Sequence, residues 1–123
     1  MIDLPVWLQY SGGIFLAIGG FLGTNGILNL GRNLTPFPRP RESGYLVTHG
    51  VYYYVRHPIY SGLLFGTFGW SLIISNILGF IIVVVLFAFF DAKSRYEEKW
   101  LLERFEEYAE YRKNVKKLIP WIY

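Results

Sequence analysis

Two long stretches of the chain contain no Asp, Glu, Lys or Arg, and they limit what this sequence can fold into. The first covers residues 4–31 and the second residues 59–90. A helix needs about 20 apolar residues to cross the hydrocarbon core of a bilayer, and both stretches exceed that length. Charged residues make up 17% of the 123 residues and lie almost entirely between and after the two stretches. We therefore expect an all-α integral membrane protein of one domain.

The two stretches predict three transmembrane helices. The first predicts one long helix over residues 5–30, and because no basic segment precedes it, we expect it to be retained rather than cleaved as a signal peptide. The second stretch is too long for one span, and Ser75 and Asn76 offer a turn that divides it into a helical hairpin of residues 58–75 and 77–93. Apolar residues then recur at helical spacing before Pro120, which predicts a C-terminal amphipathic helix over residues 94–119.

The basic residues predict the orientation of these helices in the membrane. All twelve Lys and Arg residues lie in the loop, residues 31–57, or in the tail, residues 91–123. The positive-inside rule places both segments in the cytoplasm, most simply at a cell (inner) membrane, with the N-terminus outside. Because topology explains these charges, we expect no nucleic-acid partner.

Glycines mark the expected contacts between helices. Gly19 and Gly23 form a GxxxG pair in the first helix, and Gly62, Gly66 and Gly69 follow one side of the first hairpin arm. Such small residues let helix backbones approach closely. Packing within the bundle is the simpler interpretation, and a homo-oligomer through these glycine-rich faces is the alternative.

A polar cluster precedes the hairpin, in the segment GVYYYVRHPIY of residues 50–60. Pro58 suits the first turn of a helix, so the amide groups of Ile59 and Tyr60 should face the loop, where they favour an anion. A simpler interpretation is that Arg56 and His57 are solvated boundary residues among interfacial tyrosines.

A second polar cluster follows the hairpin. Lys93 and Glu97 are four residues apart and share a helix face, with Glu98 next to them. They could form only an ordinary surface ion pair. The predicted topology, however, brings both clusters to one membrane face. Because the chain contains no cysteine, thiolate metal sites are excluded, and we predict no metal site.

These two clusters together resemble a known family. The segments LVTHGVYYYVRHPIYSG and EEKWLLERFEEYAEYRKNVKKLIP, separated by a hairpin, are similar to the isoprenylcysteine carboxyl methyltransferase and phospholipid methyltransferase superfamily, as a short, prokaryotic-type member. The shared pattern is Gly-x-Tyr-x-x-x-Arg-His-Pro-x-Tyr, then Glu-Glu-x-x-Leu and a Tyr-x-x-Tyr tail that ends near Ile-Pro. Members are integral membrane enzymes that use S-adenosylmethionine.

The resemblance implies which residues form the site. The cofactor-binding residues that it implies are Tyr45, Leu46, Val47, Tyr52, His57, Pro58, Ile59, Tyr60, Glu97 and Glu98. The catalytic residues that it implies are Arg56, His57 and Lys93, with Arg56 and Lys93 orienting an anionic group. Lys93 stands where the carboxyl methyltransferases have an arginine that helps hold the substrate. Lysine keeps the charge but lacks the planar fork that suits a carboxylate.

The implied function is methyl transfer from S-adenosylmethionine to an amphiphilic or lipid-like acceptor at the cytoplasmic membrane face. A carboxylate acceptor needs no base, whereas an amine needs a route for proton loss, which His57 could provide. Two alternatives stay open. The chain could be a non-enzymatic membrane scaffold or degenerate relative that keeps the fold. It could also be an NADPH-dependent membrane reductase, since sterol reductases share a similar C-terminal helical architecture.

Overall fold

The computed structural model describes residues 3–30 and 48–123, and the regular structure in these ranges is helical. Helix α1 covers Val6–Leu30, α2 covers Pro58–Ile74, α3 covers Ile77–Arg104 and α4 covers Tyr108–Asn114. A single turn of 3-10 helix, Gly50–Tyr53, precedes α2.

Two of these helices are long and apolar enough to cross a membrane. They are α1, with 25 residues, and α3, with 28. Helix α2 is also apolar but has 17 residues and spans about 26 Å, so the third transmembrane span stays a prediction. Many large apolar side chains of α1 and α3 are exposed, among them Phe21, Leu28, Val84 and Phe89. Exposed apolar surface of this extent is expected where lipid, and not water, surrounds the helices.

Helices α1 and α2 pack through facing glycines. A Cβ atom on Gly19 would lie 2.6 Å from the carbonyl oxygen of Gly62, and one on Gly62 would lie 2.6 Å from the carbonyl oxygen of Gly19. Gly12 and Gly69 meet in the same way two turns along the pair. The glycine spacing thus correctly indicated close packing within the bundle, because the two backbones touch only where no side chain intervenes. A homo-oligomer through these faces stays a prediction.

We expect Gly62→Ala to lower the free energy of unfolding by about 1–3 kcal/mol, because the added methyl group forces two helix backbones apart. Gly20→Ala is the matched control, since a Cβ there meets no atom within 4 Å. Thermal unfolding in detergent measures both variants. Equal melting temperatures for the two variants would contradict the packing described here.

The hairpin turn lies at the two residues that the sequence predicts. Ser75 adopts a left-handed conformation with φ of 52°, and the Asn76 side chain accepts a hydrogen bond from the amide of Leu78 at 2.9 Å. Asn76 therefore caps the start of α3. The Gln9 Nε2 atom donates to Ser75 Oγ at 2.6 Å, which ties the turn to the start of α1.

The C-terminal segment differs from the single amphipathic helix predicted for residues 94–119. Helix α3 continues to Arg104, the backbone becomes extended at Phe105, and α4 has only seven residues. A continuous helix would carry this segment away from the bundle. The break instead buries Tyr108 and Leu118, with 1% and 0% exposure, and burial of that much apolar surface favours the folded-back path.

Candidate functional site

The tail after α4 runs alongside the segment that precedes α2. Val55 and Lys116 form a parallel β-bridge. The amide groups of Arg56 and His57 donate to the carbonyl oxygens of Lys116 and Lys117, at 2.7 and 3.1 Å. In the first turn of α2, Ser61 Oγ donates to the carbonyl oxygen of Leu118 at 2.5 Å. The tail therefore fixes the backbone that carries the first polar cluster.

A buried carboxylate joins this backbone to α3. Glu98 Oε1 lies 3.0 Å from Arg56 Nη1, and Glu98 Oε2 lies 2.6 Å from His57 Nε2. The Glu98 side chain is 7% exposed. A carboxylate this deeply buried is tolerated only when cations and hydrogen bonds compensate its lost hydration. Arg56 and His57 supply that compensation, so the two predicted motifs meet at Glu98.

A second, more accessible cluster lies on a neighbouring face of α3. Lys93 Nζ lies 2.9 Å from Glu97 Oε1, and the hydroxyl of Tyr60 hydrogen-bonds to both side chains. The Lys93 and Glu97 side chains are 22% and 19% exposed, so Glu97 is the carboxylate that a ligand can reach.

Stacked rings line the space between the two clusters. The His57 ring stacks on Tyr60 with centroids 5.5 Å apart, and Tyr60 stacks on Phe90 at 4.7 Å. Lys93 Nζ lies 4.6 Å from the centroid of the Tyr60 ring. The Tyr60 ring is thus held by stacking on His57 and Phe90, and its hydroxyl bonds Lys93 and Glu97.

Buried phenols surround both carboxylates. Burial raises the pKa of Tyr52, and the nearby Glu97 carboxylate raises it further. Burial likewise raises the pKa of Tyr108, with an added effect of Glu98, and that of Tyr111. All three hydroxyls therefore stay protonated at neutral pH and are not bases. The Tyr108 hydroxyl is buried with no hydrogen-bond partner among the described residues. Tyr111 donates to the Tyr52 carbonyl oxygen at 2.5 Å.

Two predicted site residues contribute their side chains to packing. Pro58 and Ile59 both contact α1 at Gly26, where a Cβ atom would lie 3.1 Å from each side chain. Pro58 is the first residue of α2, as predicted. Tyr45, Leu46 and Val47 lie outside the described residues. Within residues 3–30 and 48–123, no three His, Cys, Asp or Glu side chains are grouped as metal ligands.

Sequence reasoning missed two contacts that hold the site in place. Asp91 binds Lys117 at 2.6 Å and Tyr123 at 2.8 Å, which anchors the tail to α3. Asn29 Oδ1 accepts a hydrogen bond from the Val51 amide at 3.0 Å, next to Gly50 with φ of +64°. The glycine before the tyrosine segment was the available signal for the second contact, since only glycine adopts this conformation freely.

The fold and the site together define a class: a helical membrane protein with a polar site where a hairpin meets a folded-back tail. The match to a family model is more specific. The model described as phospholipid methyltransferase covers residues 7–108, and the chain belongs to this family.

Curated proteins align with most of this chain. Protein-S-isoprenylcysteine O-methyltransferase B of Arabidopsis thaliana is 32% identical over 120 residues, which are 94% of this chain and 61% of that protein. The Saccharomyces cerevisiae protein-S-isoprenylcysteine O-methyltransferase is 43% identical over 79 residues, which are 63% of this chain and 33% of that protein. The chain therefore spans about three-fifths of the plant relative and less of the yeast one.

A solved structure agrees with the fold. The eukaryotic intramembrane Ras methyltransferase ICMT (isoprenylcysteine carboxyl methyltransferase) superposes with a TM-score of 0.83 at 32% identity, over 94% of this chain and 43% of that one. This likeness to an intramembrane protein, with the two long apolar helices, identifies the chain as a membrane protein.

Proposed function

We propose that this chain transfers a methyl group from S-adenosylmethionine to an amphiphilic acceptor, a carboxylate or an amine, at the cytoplasmic face of the membrane. One observation carries the proposal. The Arg-His-Pro-x-Tyr and Glu-Glu motifs meet in space, with Glu98 buried between Arg56 and His57 and with Glu97 accessible beside Tyr60. Such an arrangement holds the Glu98 carboxylate in one position and leaves the Glu97 carboxylate accessible to a ligand.

The residues present fit S-adenosylmethionine, which carries a sulfonium, an ammonium group, a carboxylate and ribose hydroxyls. Glu97 is an accessible acceptor for the ammonium group or the ribose hydroxyls. The Arg56 Nε atom is buried with no hydrogen-bond partner among the described residues, so it is a donor for an anionic group. When bound, S-adenosylmethionine supplies the activated methyl group.

Each side chain then has a stated role. Glu97 and Tyr60 bind the methyl donor, and Tyr52 lies against the same carboxylate. The contact with Glu98 fixes the orientation of the His57 ring, so His57 acts first as a positioning residue. Lys93 faces the same accessible space and orients the anionic part of the acceptor. Glu98 holds Arg56 and His57 in place from the buried side. The family resemblance adds residues 45–47 to the donor-binding set.

The acceptor is expected to enter from the lipid bilayer. The exposed apolar surfaces of α1 and α3 leave the site open to amphiphiles whose chains stay in the membrane. The relatives named above are isoprenylcysteine O-methyltransferases, which supports an acceptor with a long apolar chain. With a carboxylate acceptor, exclusion of water would favour displacement at the methyl group, because the opposite charges of donor and acceptor are neutralised as they react.

Incubation of the detergent-purified chain with radiolabelled S-adenosylmethionine and a total lipid extract tests this proposal. We expect label in the organic phase, and excess S-adenosylhomocysteine should suppress it. Thermal shift separates the alternatives, since stabilisation by NADPH but not by S-adenosylhomocysteine would indicate a reductase. Stabilisation by S-adenosylhomocysteine without label in any lipid or prenylcysteine acceptor would indicate a scaffold.

A further inference from the structure

A cavity lies on the face of α3 that points away from Lys93 and Glu97. Its volume is about 550 Å³, and α3 contributes Arg95, Glu98, Lys99 and Leu102 to its wall. Because successive helix residues are rotated by about 100°, these positions face away from Lys93 and Glu97. Helix α4, the folded-back tail and Arg56, from the segment before α2, form the remaining walls. Lys93, Glu97 and Tyr60 do not line the cavity, whereas Arg56 and Glu98 lie between it and the proposed methyl-donor site.

The walls of this cavity are strongly basic. Seven cationic side chains line it against one acidic side chain, Glu98. Three of the seven are paired with carboxylates. The other four have no carboxylate within ion-pair distance in the described part of the chain: Lys99, Arg112, Lys113 and Lys116. Four uncompensated cations around one concave surface favour an anionic ligand.

One end of the cavity lies beside the apolar part of α3. Ile122 and Tyr123 line that end, and the Tyr123 ring lies 5.8 Å from Phe87 on the apolar part of α3. The adjoining Trp121 and Ile122 are 81% and 74% exposed. Exposed aromatic and aliphatic side chains beside basic residues suit the boundary between acyl chains and headgroups. The cavity thus extends from this boundary towards water.

We propose that the cavity binds the phosphate of an anionic phospholipid headgroup from the surrounding membrane. Lys99, Arg112, Lys113 and Lys116 contact the phosphate, and the exposed end of the tail lies against the acyl chains. Basic charge alone would also attract free phosphate, but the apolar end favours a ligand with acyl chains. Occupancy would brace the tail, which holds the backbone of Arg56 and His57.

Thermal unfolding in mixed micelles tests the lipid site. We expect phosphatidylglycerol added to dodecyl maltoside micelles to raise the melting temperature well above the effect of phosphatidylcholine. Lys113→Gln should weaken this response by roughly fivefold in lipid concentration. Arg104→Gln is the matched control, because it removes one positive charge from α3 outside the cavity. Native mass spectrometry should show phosphatidylglycerol retained on the wild type and on Arg104→Gln, and depleted on Lys113→Gln.

Three outcomes would overturn the proposal. Equal stabilisation by the two lipids would mean that headgroup charge is not recognised. Equal responses of Lys113→Gln and Arg104→Gln would mean that net charge, and not the cavity, attracts the lipid. Suppression of the lipid response by millimolar inorganic phosphate, with equal stabilisation by phosphate alone, would make the ligand a soluble anion. Lys99→Gln, on α3 rather than α4, provides a second variant that should behave as Lys113→Gln does.

Discussion

Glu98→Ala should lower the free energy of unfolding by about 3–5 kcal/mol and abolish methyl transfer. The variant leaves Arg56 and His57 at a buried position without the carboxylate that compensates them. Loss of one member of a buried ion pair costs far more than loss of a surface charge, because the remaining charge keeps its desolvation penalty. The same change frees the His57 ring, which the proposed reaction requires in one orientation.

The matched control is Glu103→Ala, an exposed carboxylate on the same helix. An exposed substitution away from any buried network should change the free energy of unfolding by less than about 0.5 kcal/mol. Thermal or denaturant unfolding in detergent compares the two variants. If Glu98→Ala unfolds at the same temperature as Glu103→Ala, the Glu98 cluster does not hold the two motifs together.

Glu98→Gln distinguishes the effect of the side chain's shape from the effect of its charge. The amide keeps the shape of the side chain and can still bond one partner, but it cannot compensate the positive charge of Arg56. We therefore expect a smaller loss of stability than in Glu98→Ala, with activity still strongly reduced. Full activity in Glu98→Gln would show that shape alone positions the His57 ring.

The sequence predicted the bundle well because its signals are local. Charge-free length located the apolar helices, glycine spacing indicated the contact between α1 and α2, and Ser75 with Asn76 located the hairpin turn. Each of these features acts within one element or between consecutive elements. Pro58 is also local, since its fixed φ suits the first turn of a helix.

The tail was predicted poorly because its path depends on long-range contacts. Helical spacing of apolar residues continues past Arg104, so periodicity alone favoured one long helix. The break at Phe105 is stabilised by burial of Tyr108 and Leu118 and by pairing of residues 116 and 117 with Arg56 and His57. Neither the pairing nor the Asp91–Lys117 ion pair has a signature in local sequence, because the partners lie 26 or more residues apart.

The roles of the adjacent glutamates also needed the structure. Adjacent helix residues differ by about 100° in direction, so Glu97 and Glu98 cannot face the same space. The family resemblance implied that both bind the cofactor. The structure instead gives Glu98 to the buried cluster and leaves Glu97 accessible beside Lys93 and Tyr60. On this basis we propose that only Glu97 binds the methyl donor directly.

Glu97→Ala should therefore leave the fold intact and weaken binding of S-adenosylhomocysteine about 10- to 100-fold, the range expected for loss of a hydrogen bond to a charged group. The remaining Lys93 is 22% exposed and can be hydrated, so the free energy of unfolding should change by less than about 1 kcal/mol. Isothermal titration calorimetry measures the affinity, and thermal unfolding checks the fold.

Glu103→Ala again serves as the control, and it should bind with the wild-type affinity. Comparison of Glu97→Ala with Glu98→Ala is the sharper test, because one substitution should reduce mainly binding and the other mainly stability. Loss of Glu98 should destabilise the fold and thereby the site, whereas loss of Glu97 should remove binding from a stable protein. If Glu97→Ala binds S-adenosylhomocysteine normally while Glu98→Ala folds stably without binding it, the two assignments are reversed. The inner carboxylate would then be the one that contacts the methyl donor.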